Sequence, residues 1–193
     1  GVFMPLVDPY GLSLMEQQAW GFVSGILSVG FIIGGLVIAK YGLGKNPLRR
    51  LFNVNIIMWF VTIFFTIQPS ILLLSLGMFI YFVLIPFIEA AEQTIIQKVV
   101  PVEKQGRVFG LAHSIEAAAA PFTTLIVGLI TQFFFIPFMT DGDGASLIGS
   151  WFGTGDGRGI ALLFTLAGFI GFVFTIIVMR LPVYKLLSKK YSE

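Results

Sequence analysis

The sequence contains no cysteine, a single histidine and few charged residues. Without cysteine there are no disulfides and no thiolate metal sites. With His113 as the only imidazole, an all-histidine centre within one chain is excluded, so neither a metal nor a cofactor is expected. Asp, Glu, Lys and Arg make up 11% of the 193 residues, where soluble domains average about 25%. No basic stretch is interleaved with exposed aromatics, which argues against nucleic acid as a partner. There is no HExxH and no Ser-His-Asp arrangement, so the chain does not read as an enzyme. Gly153-Thr-Gly-Asp-Gly-Arg-Gly159 lacks the Gly-Lys-Ser/Thr ending of a phosphate loop, and Asp141-Gly-Asp143-Gly lacks the third ligand and distal Glu of a calcium loop. The opening Gly-Val-Phe-Met has no basic segment, short apolar stretch and cleavage site of a signal peptide, and the chain reads as a partial sequence.

What the sequence has instead is apolar length. Hydrophobic residues make up 56% of it, with 21 Phe and a mean hydropathy of +0.93. A soluble fold of this size cannot hide so much apolar surface, so the lipid bilayer is the expected solvent for much of it. Five stretches approach or exceed the roughly 20 apolar residues that cross a bilayer, at about 20–38, 51–67, 71–98, 108–138 and 160–180. Their unbroken apolar character predicts helices, because barrel strands alternate polar and apolar positions. The expected fold is an all-α, polytopic bundle, with an outer loop at 139–159 and a short apolar stub, Gly1 to Val7, read as the end of a truncated helix. Pro86 and Pro121 are expected to bend the third and fourth spans. Gly21/Gly25 and Gly30/Gly34 have the four-residue spacing that lets helix backbones approach.

Basic residues set the expected orientation. Lys40, Lys45, Arg49 and Arg50 lie between the first two spans, Lys98, Lys104 and Arg107 between the third and fourth, and Arg180, Lys185, Lys189 and Lys190 after the fifth. Eleven of the twelve Lys and Arg therefore fall on one side, with only Arg158 on the other. The positive side is read as cytoplasmic, which places the C-terminus inside and the chain's start outside. Trp20, Trp151, Tyr41 and Tyr184 fall where interfacial anchors belong, and Trp59 does not.

Ionisable groups within spans are functional candidates because their desolvation is costly. Glu89 and Glu92 are three apart on the third span, and His113 and Glu116 are three apart on the fourth, so each pair shares a helix face. One reading is a proton relay, a substrate contact or a gate. The other is structural pairing with Arg107, Lys98 or Lys104 near the boundary. The second and fifth spans carry little besides Asn53, Asn55 and threonines, which suits peripheral helices around cavity-lining third and fourth spans.

Two stretches carry a family resemblance. Gln93-Thr-Ile-Ile-Gln-Lys-Val-Val-Pro101-Val-Glu-Lys-Gln-Gly106-Arg107-Val-Phe-Gly110 resembles the loop between helices ten and eleven of major facilitator superfamily transporters, most closely those of the bacterial macrolide and siderophore efflux branch. Gly34-Gly-Leu-Val-Ile-Ala-Lys40-Tyr-Gly42-Leu-Gly-Lys45 is similar to the cytoplasmic Gly-x-x-x-Asp-Arg/Lys-x-Gly-Arg motif of that superfamily. Gly35, Lys40 and Gly42 match it, while Ala39 and Leu43 replace its Asp and final Arg. The resemblance covers nearly the whole chain as a C-terminal half, from the end of helix seven to helix twelve. It implies a multi-pass plasma-membrane protein that exports a small hydrophobic or amphipathic compound by alternating access. It further implies protons as coupling ion, a missing N-terminal half-bundle as partner, and a substrate site near the midplane between the halves. Within it, Glu89, Glu92, His113 and Glu116 are the coupling or gating candidates, and Gly35, Lys40, Gly42, Gly106 and Arg107 the cytoplasmic gate or motif. The alternative is a non-transporting membrane scaffold or assembly module.

Overall fold

The computed structural model describes residues 3–191, apart from the Lys190 side chain; Gly1 and Val2 of the apolar stub and the Lys190 charge lie outside the described residues. Among them all the regular secondary structure is helical, with no strand. In order, the helices are α1 (Phe3–Leu14), α2 (Gln17–Leu27), α3 (Val29–Tyr41), α4 (Pro47–Phe64), α5 (Ile71–Val99), α6 (Val102–Ile130), α7 (Ile136–Thr140), α8 (Asp143–Phe152), α9 (Asp156–Arg180) and α10 (Pro182–Lys190). A π-helical turn, Thr131–Phe135, joins α6 to α7.

Among the described residues, four helical segments are long and apolar enough to cross a membrane: Gln17–Tyr41, Ile71–Val99, Val102–Thr140 and Asp156–Arg180. The first combines α2 and α3, which meet at Ser28. Ser24 and Ser28 return their hydroxyls to the carbonyls of Gly21 and Gly25, at 3.2 and 2.6 Å, a pattern that competes with the helical ladder. The second expected span corresponds to α4, whose 18 residues include Arg49, Arg50, Asn53 and Asn55. Its start is sharply defined. Asn46 accepts the Arg49 N–H at 2.9 Å, and Pro47 occupies the first turn, where its missing N–H is no loss.

Three segments differ from the sequence expectation. The stub is longer, since α1 continues through Pro9 to Leu14. The Gly/Asp-rich stretch at 139–159 folds into α8 and the start of α9. Asp143 and Asp156 lie in the first turns of those helices, where a carboxylate suits the helix dipole. In the fourth span, the π-turn comes just before Pro137, and the Ile136 N–H reaches back to the Thr131 carbonyl. Proline has no N–H for the next rung and crowds the preceding turn, so a widened turn accommodates it.

Small residues set the helix approaches. A Cβ at Gly34 would collide with the Val83 carbonyl, and one at Gly30 would meet Phe82 Cβ at 3.0 Å, so α3 runs against α5 along this pair. Gly21, Gly25 and Gly35 face open space, and the expected Gly21/Gly25 contact is absent. On α9, Gly168 faces the α4 backbone, where a Cβ would lie 2.9 Å from the Ile63 nitrogen, and Gly171 receives the Trp59 indole. That packing explains why Trp59 does not behave as an interfacial anchor. Trp20 also departs from that role: it is buried on Gly11 and donates its Nε1–H to Asp8 Oδ1 at 2.9 Å. Trp151 is 55% exposed.

The core lies between α1, α4, α5 and α9, around Tyr10, Phe65, Leu74, Met78, Phe152 and Phe164. Phe3 stacks on Tyr81 with ring centroids 3.9 Å apart, and Phe65 meets Phe164 edge-on at 5.1 Å. One charged group is buried beside it. Arg158 is 4% exposed. Its Nη1 donates to the Tyr10 hydroxyl (3.2 Å) and the Thr66 carbonyl (2.9 Å), and its Nη2 to the Ile67 carbonyl (2.9 Å). The Phe152 ring covers the guanidinium at 4.1 Å from its centroid. One side chain thus joins α1, the α4–α5 turn, α8 and α9.

Removing Arg158 leaves the buried Thr66 carbonyl, the half-buried Ile67 carbonyl and the buried Tyr10 hydroxyl without this donor, at about 1–3 kcal/mol for each fully buried group. Arg158→Met is expected to lower unfolding stability in detergent by about 3 kcal/mol or more, while Arg158→Lys recovers only part because an ammonium lacks the planar fork. Chemical denaturation of the purified variants checks this; unchanged midpoints would refute it.

Candidate functional site

The polar residues of the third and fourth spans are positioned by the turn between α5 and α6. Val100 is extended (φ −99°, ψ 126°), as the residue before a proline prefers, and this ends α5. Pro101 opens α6. Gln105 holds the turn closed: its Nε2 donates to the carbonyls of Gln97 (3.2 Å) and Val100 (3.0 Å) at the exposed end of α5. These are carbonyls that a helix C-terminus leaves without an intrahelical donor.

Beyond this hinge-like connection the two helices diverge. They are neighbours in sequence but share little packed surface, and α6 is exposed along most of Val102–Ile126. The gap is a cleft of about 260 Å³. Glu89, Glu92, Gln93 and Ile96 of α5 line one wall, and Phe109, Ala112, His113 and Glu116 of α6 the other. All four coupling candidates therefore share one cleft. Helical spacing gives each pair a shared face, and the short α5–α6 connection sets the two pairs opposite one another across the gap.

The groups are open rather than buried. His113 Nδ1 lies 3.6 Å from Glu116 Oε2, with side-chain exposures of 84% and 70%. An ion pair so exposed contributes little to stability, so its place in the cleft matters more than its strength. It is the only side-chain ion pair among the described residues. The expected basic partners sit elsewhere: Arg107 has no carboxylate within 4.0 Å, and Lys98 Nζ lies over the Tyr191 ring, 5.7 Å from its centroid. Three carboxylates thus face a shared opening with no Lys or Arg neutralising them. Such an arrangement can take up protons, hold a cation or meet a cationic ligand group.

The second motif maps to the α3–α4 turn. Gly42 ends α3 with φ +64°, a conformation open to glycine but strained for other residues, and its N–H bonds the Ile38 carbonyl at 2.7 Å. Lys40 Nζ lies 5.2 Å from the Tyr41 ring centroid. Gly35 and Gly106 face open space. Neither Lys40 nor Gly42 lines the α5–α6 cleft, so the motif residues and the coupling candidates occupy separate places.

No family model, curated protein or solved structure matches the chain.

Sequence reasoning missed Gln105 and Arg158. Gln105 gave no signal beyond lying just after Pro101. Arg158 did give one: a lone arginine among carboxylates on the acidic side, in a segment that starts a long apolar helix. Because the protein has no native cysteine, the cleft can be probed directly. His113→Cys and Glu92→Cys are expected to react rapidly with a membrane-impermeant maleimide in native protein, and Met78→Cys in the core only after unfolding. Mass spectrometry reads the modification, and equal rates at all three positions would disprove an open cleft.

Proposed function

We propose that this chain is the C-terminal bundle of a major facilitator superfamily transporter, exporting a small hydrophobic or amphipathic compound by proton-coupled alternating access. In this reading α2–α3, α4, α5, α6–α7 and α9 are five crossings, and α1 belongs to a sixth. The basic ends face the cytoplasm, the C-terminus is inside, and the plasma membrane is the host. An N-terminal half-bundle completes the cavity and the substrate site.

The observation that carries the reading is the α5–α6 cleft. Two helices long and apolar enough to cross a membrane bring three carboxylates and the only imidazole to one opening. A purely structural bundle has no use for acidic groups held apart from the available cations. A transporter does, since carboxylates that change exposure as the cavity opens and closes can load and release protons. The sparse packing of α6 also supports the reading, because a helix that faces a moving half-bundle must not be fixed by its own.

Glu116 touches the only imidazole and so is the sharpest test. In the full-length protein reconstituted in proteoliposomes, Glu116→Gln is expected to abolish the pH dependence of efflux and most of its stimulation by an imposed proton gradient. His113→Gln should shift the pH profile instead of removing it. A Glu116→Gln variant that keeps the native pH profile and the native stimulation by a proton gradient would take Glu116 out of the coupling machinery.

A further inference from the structure

The end of the bundle that carries the α5–α6 turn has a second polar feature, separate from the carboxylate cleft. The turn between α3 and α4 folds around a cleft of about 250 Å³ lined by Gly44, Lys45, Asn46, Arg49, Arg50 and Asn53. Arg50 is tied to the turn by its Nε–H, which donates to the Leu43 carbonyl at 3.3 Å. Lys45, Arg49 and Arg50 are all exposed. There is no Asp or Glu between Glu16 and Glu89, nor from Gly157 through Lys190. Among the described residues none of these three cations has a carboxylate within 4.0 Å, which leaves their charge open to an external anion.

Helix α10 lies against this turn. Asn46 Nδ2 donates to the Ser188 carbonyl (2.7 Å) and hydroxyl (2.9 Å). Tyr184 meets Phe52 edge-on at 4.9 Å, and the Tyr191 hydroxyl donates to the Ile95 carbonyl at 3.4 Å. Residues 184, 188 and 191 are thus the face bound to the bundle. Val183, Leu186 and Leu187, at i, i+3 and i+4, form a neighbouring face and are 65%, 73% and 43% exposed. Lys185 and Lys189 fall on the side away from the bundle at helical spacing. A short basic helix, docked on one side with an apolar stripe left open, has the character of a helix lying in the membrane interface.

We propose that this end of the bundle binds the headgroup of an anionic phospholipid, with Lys45, Arg49 and Arg50 around the phosphate and α10 lying beside it with its apolar stripe against the acyl chains. The stripe is what selects a lipid over a soluble anion. A free phosphate needs the three cations but has no use for Val183, Leu186 and Leu187, whereas a phospholipid engages both at once. Asn46 makes the two parts one site, because it caps α4 within the basic cleft and holds α10 through Ser188.

The test is lipid retention by the purified protein, read by native mass spectrometry with phosphatidylglycerol or phosphatidylcholine added to the micelle. The native protein is expected to retain phosphatidylglycerol preferentially. Lys45→Gln/Arg49→Gln/Arg50→Gln should lose the preference by roughly fivefold per charge removed, the charge-keeping Arg49→Lys/Arg50→Lys should retain most of it, and Lys104→Gln should leave it unaltered. Excess inorganic phosphate should not displace the lipid. A Leu186→Trp variant should be quenched more by brominated phosphatidylglycerol than by brominated phosphatidylcholine, a readout that stands even if the triple variant does not fold. A triple variant with undiminished preference, displacement by phosphate, or equal quenching by the two lipids would each overturn the proposal.

Discussion

Burying the Arg158 guanidinium removes a charge from water at a cost of several kcal/mol, and much of one end of the bundle is organised around offsetting it. The carbonyls of Thr66 and Ile67 stand where α4 has ended and α5 has not begun, so both lack a helical partner and both accept from Arg158. The Tyr10 hydroxyl gives α1 its place, and the Phe152 face gives α8 its own. Neighbouring bonds follow the same logic: Thr66 donates its hydroxyl to the Ala161 carbonyl at 3.3 Å, and Gln68 donates to the Trp151 carbonyl at 3.0 Å. The Gln68 bond is exposed, whereas the bonds of Thr66 and of Arg158 Nη1 are buried and resist replacement by water, so one arginine makes four elements interdependent.

The opposite end is built differently. Its connections, 42–46 and 100–101, are held by a few side-chain bonds, from Asn46 and Arg50 in the first and Gln105 in the second, and its described charged groups are exposed. There α6 leaves the bundle and the carboxylate cleft opens. Sparse packing and exposed polar groups mark the regions of a fold with the lowest local stability. A rigid end and a loose end in one helical unit is an arrangement suited to a rocking half-bundle, which is the role proposed for this chain.

Much of the helical architecture was legible because it rests on apolar run length, which is a local property. The long segments at 71–99, 102–140 and 156–180 follow from it. Which of two identical glycine spacings is used did not follow: Gly21/Gly25 and Gly30/Gly34 look alike until Val83 and Pro86 are placed opposite one of them. Trp20 read as an interfacial anchor because its position along the chain suited one; its burial depends on Gly11 and Asp8, which a span-by-span reading does not bring near. The Gly/Asp-rich stretch read as a loop on composition, yet it forms α8, because the aromatic faces of Phe138 and Phe152 have a core to pack against. For the candidate site, helical spacing paired Glu89 with Glu92 and His113 with Glu116. It did not reveal that α5 and α6 splay apart, since that depends on what α6 fails to touch.

The contrast between the two ends can be measured by double electron–electron resonance in this cysteine-free chain, with spin labels at Gln93 and Ala112 across the cleft and at Gln68 and Ser150 across the Arg158 end. The account predicts a narrow distance distribution at the Arg158 end that broadens in Arg158→Met, and a broad distribution across the cleft that does not depend on Arg158. Equally narrow distributions at both ends, or an Arg158 end unaffected by Arg158→Met, would contradict it.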